Sequence, residues 1–305
     1  MKTKLNQFIP NTKTILREKY LEKHPLAHKL TSSLYLKYCK ITGPLHILPD
    51  FYIIGVVKGG TTSLHDYLIR HPCVQPPIGK EIDYFGELYY RGPEWYRVSF
   101  PYKMQKFMAK KIHKKDFQTG EATPRYIEHP NVPERIKKLT PNAKFIVLLR
   151  NPIDRAYSHH NMNITRNHET LSFEEAIKNE ENRIQGEYEK MHKNYRYYSW
   201  TYYLFAYKEH GKYIERLQRW MKIFPRNQFK IIKSEDLFEN PSSVYNDVLD
   251  FLKLPKWQLN EYPALKKRKY KKPNMNPITR KNIFEFFKPY NEKLYKFLNI
   301  DYEWK

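Results

Sequence analysis

The sequence predicts an α/β fold in three layers, a central and mostly parallel sheet flanked by helices. Three observations carry that expectation. Short, nearly continuous apolar runs stand at Phe51-Tyr52-Ile53-Ile54-Gly55-Val56-Val57, at Lys144-Phe145-Ile146-Val147-Leu148-Leu149-Arg150 and at Phe229-Lys230-Ile231-Ile232-Lys233. Strands buried on both faces read this way, whereas half-solvated strands alternate. Stretches with helical spacing separate these runs, and strands alternating with helices build parallel sheets.

The elements follow in order. After the first run, Thr61 to Arg70 has helical spacing through Leu64 and Leu68, and His71-Pro72 stops it. Phe117-Gln118-Thr119-Gly120-Glu121 reads as a further strand and Glu134 to Leu139 as a helix. Pro152 stands where a helix begins, and Ile153 to Asn167 continue it. Residues 172–186 and 199–224 read as helices, and Ser234-Glu235-Asp236-Leu237 leads from the last strand into more. Residues 1–48 stand apart as a basic N-terminal extension, with nine Lys/Arg against two Asp/Glu, and residues 49–305 form one domain. Ile15, Leu16, Leu21, Leu26, Leu30, Leu34 and Leu36 recur loosely at helical spacing in the extension. That pattern suits an amphipathic segment docked on the domain, or peripheral contact with an anionic membrane.

The 305 residues carry 55 Lys+Arg against 32 Asp+Glu, a net charge of +23. Such a balance attracts polyanions, whether nucleotides, acidic glycans, nucleic acid or anionic membrane. Cys39 and Cys73 make neither a disulfide framework nor a metal site. No apolar run of about 18 residues and no apolar leader is present, so a cytoplasmic location is expected.

Gly55-x-x-Lys58-Gly59-Gly60-Thr61-Thr62-Ser63, between a strand and a helix, is a P-loop-like phosphate cradle. Glycines let the backbone approach oxygens, successive N–H groups and the helix start hold an anion, and the hydroxyls add donors. Gly55 and Gly60 have the spacing of the nucleotide triphosphatase loop, but Thr61 takes the place of its lysine, and Lys58 sits inside the loop. Leu149 is followed by Arg150 and Asn151 rather than by an acidic magnesium ligand, which disfavours a nucleotide kinase. A second anion site follows the strand at 144–150. Arg150 stands at its carboxyl end, where ligands of open α/β sheets bind, and Ser158 lies one to two turns into the next helix. Two anion sites suit a nucleotide phosphorylated on both its 5′ and 3′ positions.

Lys58-Gly59-Gly60-Thr61-Thr62-Ser63 resembles the 5′-phosphosulfate loop of the PAPS-dependent sulfotransferases, where PAPS is 3′-phosphoadenosine-5′-phosphosulfate. Arg150-Asn151-Pro152 with Ser158 resembles that family's 3′-phosphate motif. The likeness runs from Phe51 to the C-terminus and is greatest to the carbohydrate type, including heparan sulfate sulfotransferases and bacterial relatives. It implies that Lys58 contacts the bridging oxygen and sulfuryl group, the loop amides the 5′-phosphate, and Arg150 and Ser158 the 3′-phosphate. An acceptor hydroxyl or amine must lose a proton as it attacks sulfur. Within Gly79-Lys80-Glu81-Ile82-Asp83-Tyr84-Phe85, Glu81 matches the glutamate base of the carbohydrate type, and Asp83 stands where some relatives have histidine. The same residues also read as a Lys80–Glu81 surface pair. His65, His71, His159 and His160 are fallback bases. The scheme requires no metal.

Two features depart from the family. Gly120-Glu121-Ala122-Thr123-Pro124 has Ala122 where heparan sulfate 3-O-sulfotransferases have lysine, which puts a heparan-like acceptor in doubt. Lys266-Lys267-Arg268, within the basic run to Lys272, lacks the glycine of the relatives' Lys-Gly-Arg loop that closes over the donor. That run serves either the donor or an acidic acceptor. The expected function is transfer of a sulfuryl group from PAPS to an acceptor, a carbohydrate in the first instance. The competing readings are a nucleotide kinase and a polyanion- or nucleic-acid-binding protein, and no nucleic-acid-binding signature accompanies the charge.

Overall fold

Four strands pair in the order β2-β1-β3-β4, all parallel, in a computed structural model that describes residues 25–112, 116–265 and 275–304. They are β1 (Phe51–Gly55), β2 (Gly120–Ala122), β3 (Lys144–Leu149) and β4 (Phe229–Lys233). Each expected strand is present. β2 begins later than the sequence suggests, because Gln118 forms only an isolated bridge with Val74.

The strands bury alternate residues on opposite faces, as the period of two requires. Tyr52, Ile54, Phe145, Val147 and Leu149 join a core with Leu217 and Trp220 of α10 (Tyr213–Met221) and Leu294 of α13 (Pro277–Leu298). Phe51, Ile53, Ile146 and Leu148 face the other way, onto Leu64 and Leu68 of α2 (Thr61–Ile69) and Val248 and Leu249 of α12 (Pro241–Leu252). Two cores separated by one sheet make the three layers.

The remaining helices are α1 (Pro25–Thr42), α3 (Pro93–Arg97), α4 (Lys103–Ile112), α5 (Val132–Leu139), α6 (Pro152–Thr165), α7 (Phe173–Ile184), α8 (Glu187–Lys193), α9 (Trp200–Phe205) and α11 (Ser234–Glu239). α6 starts where Pro152 predicts, and the Asn151 side chain caps it by accepting from the Ile153 amide at 3.0 Å. The single helix expected over 199–224 is instead two, α9 and α10, joined through a 3₁₀ turn at Glu209–Gly211. A Cβ on Gly211 would lie 2.5 Å from the Phe287 ring and 3.0 Å from Pro152. The chain therefore turns where its backbone slides against α13 and the start of α6.

β1 lies between β2 and β3, so the winding reverses on either side of it. In open α/β sheets the crevice at that reversal, beyond the carboxyl ends of the strands, is where ligands bind. The loops after β1 and β3 meet there.

Candidate active site

The loop Val56–Gly60 is held from below by the sheet. The Val56 amide donates to the Leu148 carbonyl at 2.9 Å, and the Gly59 amide to the Val56 carbonyl at 2.9 Å. Two positions demand glycine. Gly60 has φ +93°, and a Cβ there would also meet Phe238 at 2.9 Å; a Cβ on Gly59 would lie 2.9 Å from the Leu148 carbonyl oxygen. Lys58 itself takes a left-handed φ of 72°, a conformation uncommon outside glycine and tolerated where surroundings enforce it. The amides of Gly60, Thr61 and Thr62 donate to no backbone carbonyl of the described residues. Unused amides at a left-handed turn opening a nine-residue helix are what an anion cradle requires.

Arg150 follows β3 and reaches across the reversal point. Its Nη1 donates to the Lys58 carbonyl at 3.1 Å, while the Tyr213 hydroxyl donates to its own carbonyl at 2.8 Å. The two motifs that lie far apart in sequence are thus one hydrogen-bonded unit. Ser158 lies in α6, half-buried.

Glu81 is brought to the same loop by its neighbour. Lys80 Nζ donates to Thr62 Oγ1 at 2.6 Å, in the first turn of α2, and lies 3.4 Å from Glu81 Oε1. The Lys80–Glu81 pair is real, and it is docked on the loop rather than loose on the surface. Glu81 and Asp83 both take left-handed φ, 57° and 53°. Asp83 is buried, pairs with Arg125 Nη2 at 2.9 Å and accepts from the Tyr198 hydroxyl at 2.9 Å, and its Oδ1 has no partner among the described residues. Burial raises its carboxyl pKa against the pull of Arg125.

The four histidines separate cleanly. His71 is structural, bonding the Pro255 carbonyl through Nε2 at 2.8 Å and accepting from the Cys73 amide through Nδ1 at 3.0 Å. His160 bonds the Leu171 carbonyl at 2.9 Å. His159 is buried against Tyr207 and His210, and burial followed by the charge of Arg155 pushes it well below the usual histidine range. His65 lies in the first helical turns after the loop; burial and then Lys80 push it down to about 4, so it is neutral near pH 7.

Residues 48–290 match the sulfotransferase domain family. The chain is a member of that family. It is 30% identical to the membrane-associated sulfotransferase kil1 of Dictyostelium discoideum, over 87% of this chain and 68% of that protein. It is 28% identical to heparan sulfate glucosamine 3-O-sulfotransferase 3B1 of Mus musculus, over 84% of this chain and 65% of that protein. The chain therefore spans about two thirds of the length of these curated relatives. The crystal structure of a sulfotransferase from Alicyclobacillus acidocaldarius superposes with a TM-score of 0.63 at 27% identity, covering 84% of this chain and 97% of that one. The chain is therefore an enzyme that transfers sulfate, PAPS-dependent by family, and not a nucleotide kinase.

Several residues that brace this sulfotransferase site carry no sequence signal of their own. The buried Ser234 Oγ donates to the Gly59 carbonyl at 2.8 Å, and Leu237 and Phe238 of α11 close over Gly60. Glu235 accepts from the Asn151 amide at 2.9 Å and from the Trp304 indole at 3.4 Å. On the other side, the exposed Trp200 ring lies 5.0 Å from the Arg125 guanidinium. Burial opposes that guanidinium's charge, but Tyr198, Asp83 and Glu81 outweigh it and raise its pKa. Lys266, Lys267 and Arg268 lie outside the described residues. The residue before them does not: the Leu265 amide donates to Ser63 Oγ at 3.0 Å, in the first turn of α2.

Proposed function

We propose that this enzyme transfers the sulfuryl group of PAPS to a hydroxyl or amine of a carbohydrate acceptor, with Glu81 as general base and Lys58 stabilising the leaving phosphate. The observation that carries the reading is the Lys80 bridge, 2.6 Å to Thr62 and 3.4 Å to Glu81, which fixes the only carboxylate of the Glu81 segment that reaches toward solvent against the start of α2. A base there stands within one side chain of the cradle for the donor's 5′ end.

In the reaction the acceptor oxygen forms a bond to sulfur as the bond from sulfur to the bridging phosphate oxygen breaks, in line. Glu81 takes the acceptor proton. Lys58 and the amides of Gly60, Thr61 and Thr62 meet the charge left on the 5′-phosphate, and Arg150 with Ser158 grips the 3′-phosphate. Lys266, Lys267 and Arg268 are assigned to the donor by their likeness to the family's Lys-Gly-Arg loop. A contact made to charge that develops only in the transition state is worth ~10²–10³ in rate.

A carbohydrate acceptor is supported by Trp200 and Arg125, an exposed ring and a guanidinium two residues of contact away from Glu81. A sugar ring stacks on the first, and an acidic substituent pairs with the second. The heparan sulfate relatives point the same way. Ala122, fully buried in β2 and packed with Ile53 and Leu64, supplies none of the charge that their lysine offers, so a less sulfated or differently linked glycan fits better than heparan itself.

The test is thermal melting with 3′,5′-bisphosphoadenosine and with ATP plus magnesium, followed by a glycan screen with labelled donor. At about 100 times its dissociation constant, bisphosphoadenosine should add ~2.7 kcal/mol of stability. Stabilisation by ATP–magnesium alone would contradict the proposal.

A further inference from the structure

α4 is an amphipathic helix mounted inside out. None of its ten residues is buried. The one side chain that grips the body is Lys106, whose Nζ lies 3.5 Å from Asp50 Oδ1 and 5.8 Å from the Phe117 ring. At 100° per residue, Met104 and Met108 fall on the opposite side of the helix, with Phe107 and Ile112 flanking them. All four are exposed, from 45% to 63%. An apolar stripe at i, i+3, i+4 and i+8 ordinarily faces the core; here it faces away.

The end of α1 extends the same surface. Leu34, Tyr38, Ile41 and Leu45 recur at helical spacing, and all are exposed. The stripes adjoin, because His46, directly after Leu45, bridges to Tyr102, immediately before α4, with the two rings 3.9 Å apart. Neither helix contains an Asp or Glu, whereas Lys37, Lys40, Lys103, Lys110 and Lys111 are exposed along them.

We propose that α4 and the end of α1 form a peripheral docking surface for an anionic lipid bilayer. The apolar stripes enter the boundary between headgroups and acyl chains, and the lysines meet the lipid phosphates. Charge complementarity selects this occupant: a second copy of the same surface would set lysines against lysines. The surface does not cross the bilayer, since no helix among the described residues is long and apolar enough to do so. Its place in the fold sets the enzyme's orientation. Lys106 anchors α4 at Asp50, just before β1, and so at the amino edge of the sheet, whereas Lys58 and Arg150 lie beyond the carboxyl edge. The donor crevice opens away from the lipid.

Co-sedimentation of the full chain with vesicles of phosphatidylcholine alone, and of phosphatidylcholine with phosphatidylglycerol, tests the proposal. The parent should bind the anionic vesicles and not the neutral ones. Met104→Ser with Phe107→Ser should weaken that binding by about tenfold or more, and Lys110→Glu with Lys111→Glu likewise, at roughly fivefold per lysine removed. Melting with bisphosphoadenosine and turnover of a soluble acceptor should be unchanged in both variants, which establishes that they fold. Undiminished vesicle binding in the serine variant overturns the proposal, as does failure of the parent to bind. A dimer seen by light scattering that Phe107→Ser dissolves, with no effect of lipid, identifies the surface as a contact between copies and also overturns it.

Discussion

Glu81 is half of an arrangement that also needs Lys80. With a glutamine at position 81 the hydrogen bonds of the loop persist but the proposed proton acceptor is gone. The Glu81→Gln enzyme should lose ~10²–10⁴ in kcat while its calorimetric affinity for bisphosphoadenosine stays within about twofold of the parent. Unimpaired turnover would move the base elsewhere, with His65, in the helix that follows the loop, first in line. Trp200→Ala should raise the acceptor KM and leave donor affinity unaltered; a change in donor affinity instead would take Trp200 out of the acceptor wall. Glu121 belongs to a different problem. It is wholly buried, accepts from the hydroxyls of Thr123 and Tyr126 at 2.7 and 2.8 Å and from that of Tyr96, and burial still pushes its carboxyl up to about 7 from 4.5. The folded state holds this proton more tightly than the unfolded chain. The contribution is complete below about pH 4.5 and is lost as pH rises through about 7, worth up to about 3 kcal/mol. Glu121→Gln cannot ionise, so denaturant unfolding should find its stability relative to the parent rising between those values. Parallel stability curves would remove Glu121 from the pH dependence.

The elements differ in how plainly their residues announce them. β1 and β3 are legible because a strand covered on both faces must be apolar along nearly its whole length, and Lys144–Leu149 is buried from its second residue onward; β4, at the sheet edge, is legible from Phe229, Ile231 and Ile232. The helix start at Pro152 is equally plain, since proline and a capping Asn151 are local chemistry. The break between α9 and α10 is not local: Gly211 stands at the turn with the ring of Phe287, far along the chain, packed where a side chain there would lie. The same distinction divides the site. Lys58, Arg150 and Glu81 stand in motifs that can be read, but Ser234, Leu237 and Phe238 act on the loop from the helix after another strand, and nothing near them in sequence marks a ligand site. Their importance is open to test at this scale. Gly60→Ala combines a left-handed φ with a contact to Phe238, and should abolish the melting shift with bisphosphoadenosine while the sheet remains folded. Ser234→Ala removes one hydrogen bond to the Gly59 carbonyl, and about 1 kcal/mol corresponds to roughly a fivefold loss of donor affinity. A normal shift in Gly60→Ala would mean that the loop adjusts more freely than its packing allows.

Across the whole molecule, the net charge of +23 has more than one address. Part lies at the carboxyl edge of the sheet, around Lys58, Arg150 and Arg125, and part on α1 and α4 beyond the amino edge. The sequence displays the total but cannot divide it, because the division depends on which side of a folded sheet each lysine reaches. The family's chemistry is legible in two motifs; the acceptor is not, since Trp200 and Arg125 meet only after α9 has packed beside the Glu81 segment.

The hydroxyl of Ser234 on the Gly59 carbonyl has a consequence for how the protein is made. Chain synthesis runs from the amino end, so Lys58 and Arg150 leave the ribosome well before Ser234. Until β4 has zipped onto β3, the nascent enzyme carries both of its phosphate-gripping sequences without the clamp that shapes them. The shape of this loop is therefore completed late in biogenesis, once the sheet is whole.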